Sequence, residues 1–287
     1  NSRNSSLDNS FVSSFVSSSS SKISKRIPSS NNVTSIESTS FAYCNNLLTI
    51  SIPEGVTIIG SSAFEGCYAL TNINLPNSIT TIENYAFYNC SFIETISIPS
   101  DVSSIGKYAF YECQKLTTEL NFSDFLLELG AYAFYNCRKI TGSVYLSDNI
   151  TEIGGSTFYY CSSLNGTLRL PAYLTKIGGS AFYYCSSLKG ELDFPQTLTS
   201  IGNSTFRECK SLTGELSLPN SVTSLGSYAF YNCRGFTGSL TIPDSVTSIG
   251  SNAFYNCTGL TGSLTIGNSV TSIGSNAFRD CRGLTGS

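Results

Sequence analysis

Ser248-Ile249-Gly250-Ser251-Asn252-Ala253-Phe254-Tyr255-Asn256-Cys257, followed by Leu260 and then by Leu264-Thr265-Ile266, is the stretch whose reading decides the fold. Two periodicities meet in it. Ile249, Ala253, Phe254, Cys257 and Leu260 fall at helical spacing, which predicts a short helix or 3₁₀ turn with one apolar face. From Leu260 through Leu264 to Ile266 the spacing becomes two, the mark of a short strand buried on one side. The stretch therefore predicts a strand, a turn, a helical turn and a return.

Working outward, the same template fills the chain. Eleven cysteines, Cys44, Cys67, Cys90, Cys113, Cys137, Cys161, Cys185, Cys209, Cys233, Cys257 and Cys281, are spaced by 23 residues three times and then by 24 seven times. Three residues before each stands a Phe, from Phe41 to Phe278, and eight before each an Ile or Leu such as Ile59, Leu129 or Ile249. Gly follows that Ile or Leu in nine of the eleven repeats, with Glu37 and Glu83 as the exceptions, and Pro punctuates strand ends from Pro53 to Pro243. A unit this short cannot bury its own apolar face, so the repeats must stack, with a parallel sheet along one side and a continuous core behind it. The stack covers residues 31–287. Residues 1–30, Ser-rich with apolar pairs at Phe11-Val12 and Phe15-Val16, are expected to be a cap, a degenerate repeat or a leader. The last residues, Arg282 to Ser287, stop partway through a repeat, as expected for a piece of a longer protein.

Composition narrows the function classes. A net charge of −3 gives no basic field for a phosphate backbone, so nucleic acid is not an expected partner. No apolar run reaches the roughly 18 to 20 residues needed to cross a bilayer, so no membrane insertion is expected within the chain. The sequence has no His, which removes the commonest general base and zinc ligand, and neither catalytic residues, a metal nor a cofactor is expected. Ser186-x-x-Lys189 and Ser147-Asp148-Asn149 are fragments of a penicillin-recognising signature, but in the wrong chain order and on ordinary repeat positions. An odd number of identically placed cysteines without a C-x-x-C pair reads as buried free thiols acting as small hydrophobes. Eight Asn-x-Ser/Thr sequons, at Asn4, Asn32, Asn89, Asn121, Asn149, Asn165, Asn203 and Asn256, mildly favour a secreted setting.

The I-G-x-x-A-F-x-x-C core, recurring in register over residues 30–287, resembles the BspA-like, treponemal-type class of leucine-rich repeats. The resemblance implies an α/β solenoid: a right-handed superhelix of about eleven repeats, with the sheet on one face and short helical or 3₁₀ turns on the other. It also implies a cell-surface or secreted protein associated with adhesion to host matrix proteins or other cells. One departure is plain. The column after the strand, which carries asparagine in many leucine-rich repeats, reads Gly55, Ser78, Asp101, Asn149, Tyr173, Thr197, Ser221, Ser245 and Ser269, so those turns must be satisfied by other means, such as Ser hydroxyls and water.

Two surfaces stand out. Tyr88, Tyr111, Tyr135, Tyr159, Tyr183, Tyr231 and Tyr255 form a column two residues before the Cys, interrupted by Arg207 and Arg279; the rings are expected on the turn side, stacked coil on coil. On the sheet side most outward positions are small, and the exception is Tyr145, Arg169, Glu191, Asp193 and Glu215, an aromatic, a cation and three carboxylates over four coils. Tyr and Arg are the residue types that anchor interfaces, which makes this patch the candidate binding site. The expected function is a non-enzymatic adhesion or protein-binding module that presents its repeat surface to a protein or glycan ligand on a host or neighbouring cell. An ectodomain of an immune-type or signalling receptor and a non-binding spacer are the alternatives, and oligomeric state is left open.

Overall fold

The computed structural model describes residues 23–27 and 33–285. Most of segment 1–30 and the sequons at Asn4 and Asn32 therefore lie outside the described residues. The chain divides into two compact units, Asn1–Ile140 and Thr141–Ser287, and each is a parallel β-solenoid.

In the first unit the strands Ile23–Arg26, Leu47–Ser51 and Asn72–Asn74 pair in parallel in that order. A second parallel sheet joins Ser35–Ile36, Ile58–Ile59, Thr81–Ile82, Ser104–Ile105 and Glu128–Leu129. In the second unit Thr141–Tyr145 pairs with Leu168–Arg169, and Gly214–Ser217, Phe236–Ile242 and Leu260–Ile266 form a three-stranded sheet. A six-stranded companion runs from Glu152–Ile153 through Lys176–Ile177, Ser200–Ile201, Ser224–Leu225 and Ser248–Ile249 to Ser272–Ile273. Every pairing is parallel because each coil returns along the same path, which sets residues one repeat apart side by side, as Ile36 with Ile59 and Ile201 with Leu225.

The helical turns, and with them the α part of the α/β description, need correction: there is no helix among the described residues. Ile249, placed by its spacing on a helical face, belongs to the second strand ladder, and residues 251–256 form consecutive turns. Each repeat holds two residues in the left-handed region, five and one before the Cys, for example Tyr85 and Asn89 (φ 59° and 59°) or Asn252 and Asn256 (φ 56° and 57°). A left-handed residue at every fourth position cannot belong to a right-handed helix. The N–H groups divide accordingly. Asn252, Phe254 and Asn256 donate to Ser275, Ala277 and Arg279 one coil on (2.9, 2.8 and 2.8 Å), while Ala253, Tyr255 and Cys257 donate back three residues (3.3, 3.2 and 3.2 Å). Half of the turn is thus bonded to its neighbour coil, which offsets the cost of the left-handed residues.

The core lies where the Phe column predicts. Phe41, Phe64, Phe87, Phe110 and Phe134 stack in the first unit with ring centroids 5.1 to 5.3 Å apart. Phe158, Phe182, Phe206, Phe230, Phe254 and Phe278 do so in the second, at 5.3 to 5.6 Å. Removing each ring from water contributes about 1.5 to 3 kcal/mol. All eleven cysteines are buried thiols outside any disulfide, as expected, and they have a polar task as well. Cys67 Sγ donates to the Phe41 carbonyl and Cys209 Sγ to that of Phe182, each at 3.0 Å, so the thiol is a second donor, from the next coil, to a carbonyl that also accepts from the Cys44 or Cys185 amide.

The glycines after the Ile/Leu column serve close approach between coils. A Cβ on Gly226 would lie 2.5 Å from the Asn203 nitrogen, and one on Gly250 2.3 Å from the Ser227 nitrogen. Hydroxyls replace the missing asparagines, as expected: Ser78, Thr197, Ser221 and Ser245 donate to the carbonyls of Val56, Leu174, Leu198 and Val222 at 2.6 to 2.7 Å. A threonine column stitches the second ladder in the same way, with Thr199, Thr223 and Thr247 each donating to the equivalent threonine carbonyl one coil back.

Candidate binding surface

Strand alternation decides what the second unit shows on its sheet side. In Thr141–Tyr145 and Leu168–Arg169, Val144 and Leu168 point into the core, so Tyr145 and Arg169 point out, and the parallel register sets the two directly opposite each other. The Tyr145 hydroxyl lies 3.1 Å from Thr167 Oγ1. Hydrogen bonds from Ser143 and Thr167 lower its pKa below the usual phenol value.

Arg169 pairs with neither Glu191 nor Asp193. Its Nη2 meets Asp148 Oδ2 at 2.8 Å and its Nη1 donates to the Leu146 carbonyl at 3.3 Å. Asp148 accepts in turn from the Ala172 amide at 2.8 Å, and that bond, followed by the one from Arg169, holds its carboxyl below the usual range. Asp148 is the member of this surface that sequence reading missed: it appeared only within Ser147-Asp148-Asn149. Its signal was the offset of one repeat from Ala172, which sets a loop carboxylate beside a turn amide of the next coil.

Glu191, Asp193 and Glu215 are exposed and make no ion pair with any described residue. Asp193 and Arg169 line one open groove of about 460 Å³ with Leu168, Leu170, Pro195 and Gln196. Glu215 lines the adjoining groove, about 290 Å³, which shares Gln196 and runs on to Ser239 and Thr241. Glu191 lies across Gly214, where an added Cβ would sit 2.3 Å from the Glu191 Cγ. The structure thus brings Tyr145 to Arg169 and Arg169 to Asp193, and places Glu215 in the next groove. Arg169 is neutralised by Asp148, and the apolar floor of Leu168 and Leu170 is narrow. Both grooves are open to solvent.

The turn side carries the tyrosines. Tyr88 stacks on Tyr111 and Tyr111 on Tyr135 (4.9 and 4.5 Å) in the first unit, Tyr159 on Tyr183 and Tyr231 on Tyr255 (4.6 and 4.8 Å) in the second. A parallel column, Tyr85, Tyr108 and Tyr132, stacks beside the first set at 4.8 and 4.7 Å. It falls on the left-handed position, which helical spacing conceals.

The sequence matches the family described as BspA type Leucine rich repeat region (6 copies), in overlapping spans at residues 12–141, 80–213, 127–261 and 175–286. Among solved structures, a leucine-rich repeat protein from Bacteroides ovatus is 27% identical with a TM-score of 0.71, the match covering 92% of this chain and 74% of that one. The T. pallidum Leucine Rich Repeat protein is 28% identical with a TM-score of 0.53, over 58% and 78% of the two chains. The pneumococcal vaccine antigen PcpA, at 23% identity and a TM-score of 0.55 over 91% of this chain and 76% of its own, shares the fold. No match is found among curated proteins. With the repeat matched from residue 12 to 286 and its Phe and Cys columns stacked in both units, this chain belongs to the BspA-type leucine-rich repeat family.

Proposed function

We propose that this protein is a non-enzymatic binding module, displayed on a cell surface or secreted, that engages a protein or glycan ligand of a host or neighbouring cell through the sheet-side surface of its second unit. The observation that carries the reading is the groove shared by Arg169 and Asp193, with Tyr145 exposed beside it, on strands whose inward residues follow the common template. Outward positions elsewhere on the sheet are mostly Ser and Thr, so the chemistry concentrates at this point. Three unpaired carboxylates favour a ligand with a basic contact region. The setting rests on the family resemblance, and the name of PcpA as a vaccine antigen agrees with it.

The test is a screen of the purified protein against immobilised matrix proteins and glycans, repeated with Tyr145→Ala, Arg169→Ala and a triple Glu191→Gln, Asp193→Gln, Glu215→Gln variant. Saturable binding that weakens in each variant while thermal unfolding is unchanged supports the surface. Binding untouched by all three places the contact elsewhere, and absence of any binding favours a spacer.

A further inference from the structure

The turns of the second unit have the opposite electrostatic character. Arg207, Lys210, Arg234, Arg279 and Arg282 lie on the turns flanking Cys209, Cys233 and Cys281, against two carboxylates, Glu208 and Asp280. Since the whole chain has a net charge of −3, this excess of three positive charges is a separation of charge and no reflection of composition. Glu208 is turned inward: its side chain is 12% exposed and it is occupied by Lys210 at 2.9 Å and by Asn232 at 2.6 Å. Asp280 lies between Arg279 and Arg282, at 3.9 and 3.1 Å. Arg282 nevertheless remains 84% exposed.

Arg207 is the anchor of the set. Its guanidinium takes the place of a ring in the tyrosine column, with Cζ 5.4 Å from the Tyr183 centroid, 4.8 Å from Tyr231 and 4.9 Å from Tyr228. Three rings hold the cation in place by cation–π attraction. It has no carboxylate partner among the described residues, and its Nε is buried without an acceptor. Arg234 lies against the Asn256 side-chain amide, and Arg279 sits 5.8 Å from the Tyr255 centroid.

We propose that this turn-side ridge binds a sulfated polysaccharide, at a site separate from the sheet-side surface. Planar guanidinium groups match the oxygens of a sulfate, and the set spans three coil steps from Arg207 to Arg279, roughly 14 Å, a length suited to a chain carrying several anionic groups. The tyrosines discriminate between polyanions. Tyr159 with Tyr183 and Tyr231 with Tyr255 are stacked face to face, so the ridge offers ring edges and hydroxyls. A single-stranded nucleic acid needs free ring faces for its bases, whereas a sugar chain needs hydrogen-bonding hydroxyls.

The experiment uses the whole protein at physiological salt with three immobilised probes: heparin, desulfated heparin and poly(dT). Expected are saturable binding to heparin that falls with added salt, and binding at least roughly tenfold weaker to the other two probes. Combining Arg207→Gln with Arg234→Gln weakens heparin binding by roughly tenfold or more, and Arg169→Gln on the sheet side leaves it unchanged. If the first pair lowers thermal stability, Lys210→Gln with Arg282→Gln, both on exposed side chains, must give a loss of the same order. No binding to heparin, equal binding after desulfation, tighter binding to poly(dT), or full binding by both pairs of variants overturns the proposal. Because Arg169→Gln and the matrix screen read the other face, failure here leaves the sheet-side reading standing.

Discussion

Two aromatic ladders run side by side through the turns of this protein, one residue apart in sequence. The inner one, Phe41 to Phe278, is unbroken in all eleven repeats; the outer one gives way to Arg207 and Arg279 in the second unit and to Ala42 and Glu65 in the first. Both stack coil on coil at similar distances, 5.4 Å for Phe182 on Phe206 and 4.6 Å for Tyr159 on Tyr183. The difference lies in what surrounds the rings. A Phe position is closed by the neighbouring coils, so a smaller residue leaves a void and a charged one loses its hydration. On the outer ladder one edge meets water, and a guanidinium can stack in place of a ring while remaining solvated. The inner ladder builds the coil, and the outer one is free to carry chemistry.

The comparison can be broken most forcefully at Phe182, fully buried between Phe158 and Phe206. Phe182→Ala is expected to cost about 3 to 5 kcal/mol in denaturant unfolding, against at most about 1 kcal/mol for its outer neighbour Tyr183→Ala. Equal losses would remove the distinction between the ladders. Next comes Gly226→Ala, whose Cβ would press on the Asn203 nitrogen at 2.5 Å; about 1 to 3 kcal/mol should be lost, and a neutral result would mean that the coils separate easily. Cys209→Ala removes one of the two donors to the Phe182 carbonyl, for an expected loss of about 0.5 to 1.5 kcal/mol, and Cys209→Ser, which keeps a donor, should recover part of it. Arg207→Tyr makes the outer column of the second unit continuous from Tyr159 to Tyr255 and should shift stability by no more than about 0.5 kcal/mol, which thermal melts would check, while heparin binding falls.

The smallest expected effect is a pH response at Asp148. Its carboxyl is held below the usual value by the Ala172 amide and Arg169, so the folded form gains from its ionised state. That contribution is fully present above the unfolded pKa, about 3.9, and is lost as pH falls through the lower folded value. The part of sheet-side binding that needs Arg169 held in place should therefore persist from neutral pH down to about 4 and weaken below it. Asp148→Asn should remove that acid response, and an Asp148→Asn protein that still shows it would assign the response to another carboxyl.

Much of this was legible because the repeat writes each position eleven times. The Phe and Cys columns, the strand at Leu260–Ile266 and the stacking of Tyr88, Tyr111 and Tyr135 follow from periodicity, since burial alternates with backbone geometry. The false helix arose from the same source. A turn that places a left-handed residue at every fourth position keeps apolar residues three and four apart, as a helix does, and the sequence carries no direct record of φ. Its spacing puts Ile249 on a helical face for that reason, although it belongs to the second strand ladder.

The candidate surface divides along the same line. Tyr145 and Arg169 were expected on one face and stand opposite each other, because strand alternation and a fixed repeat length suffice to place them. Which carboxylate would neutralise Arg169 was beyond the sequence: Glu191 and Asp193 have the right strand parity, yet Asp148 reaches the guanidinium from a loop. Sequence by itself determined the coil, its period and the residues that fill it, since those depend on local spacing and burial repeated in register. Only the tertiary structure decided where the turn amides found acceptors and which charges met, because both depend on the approach of backbone from a neighbouring coil.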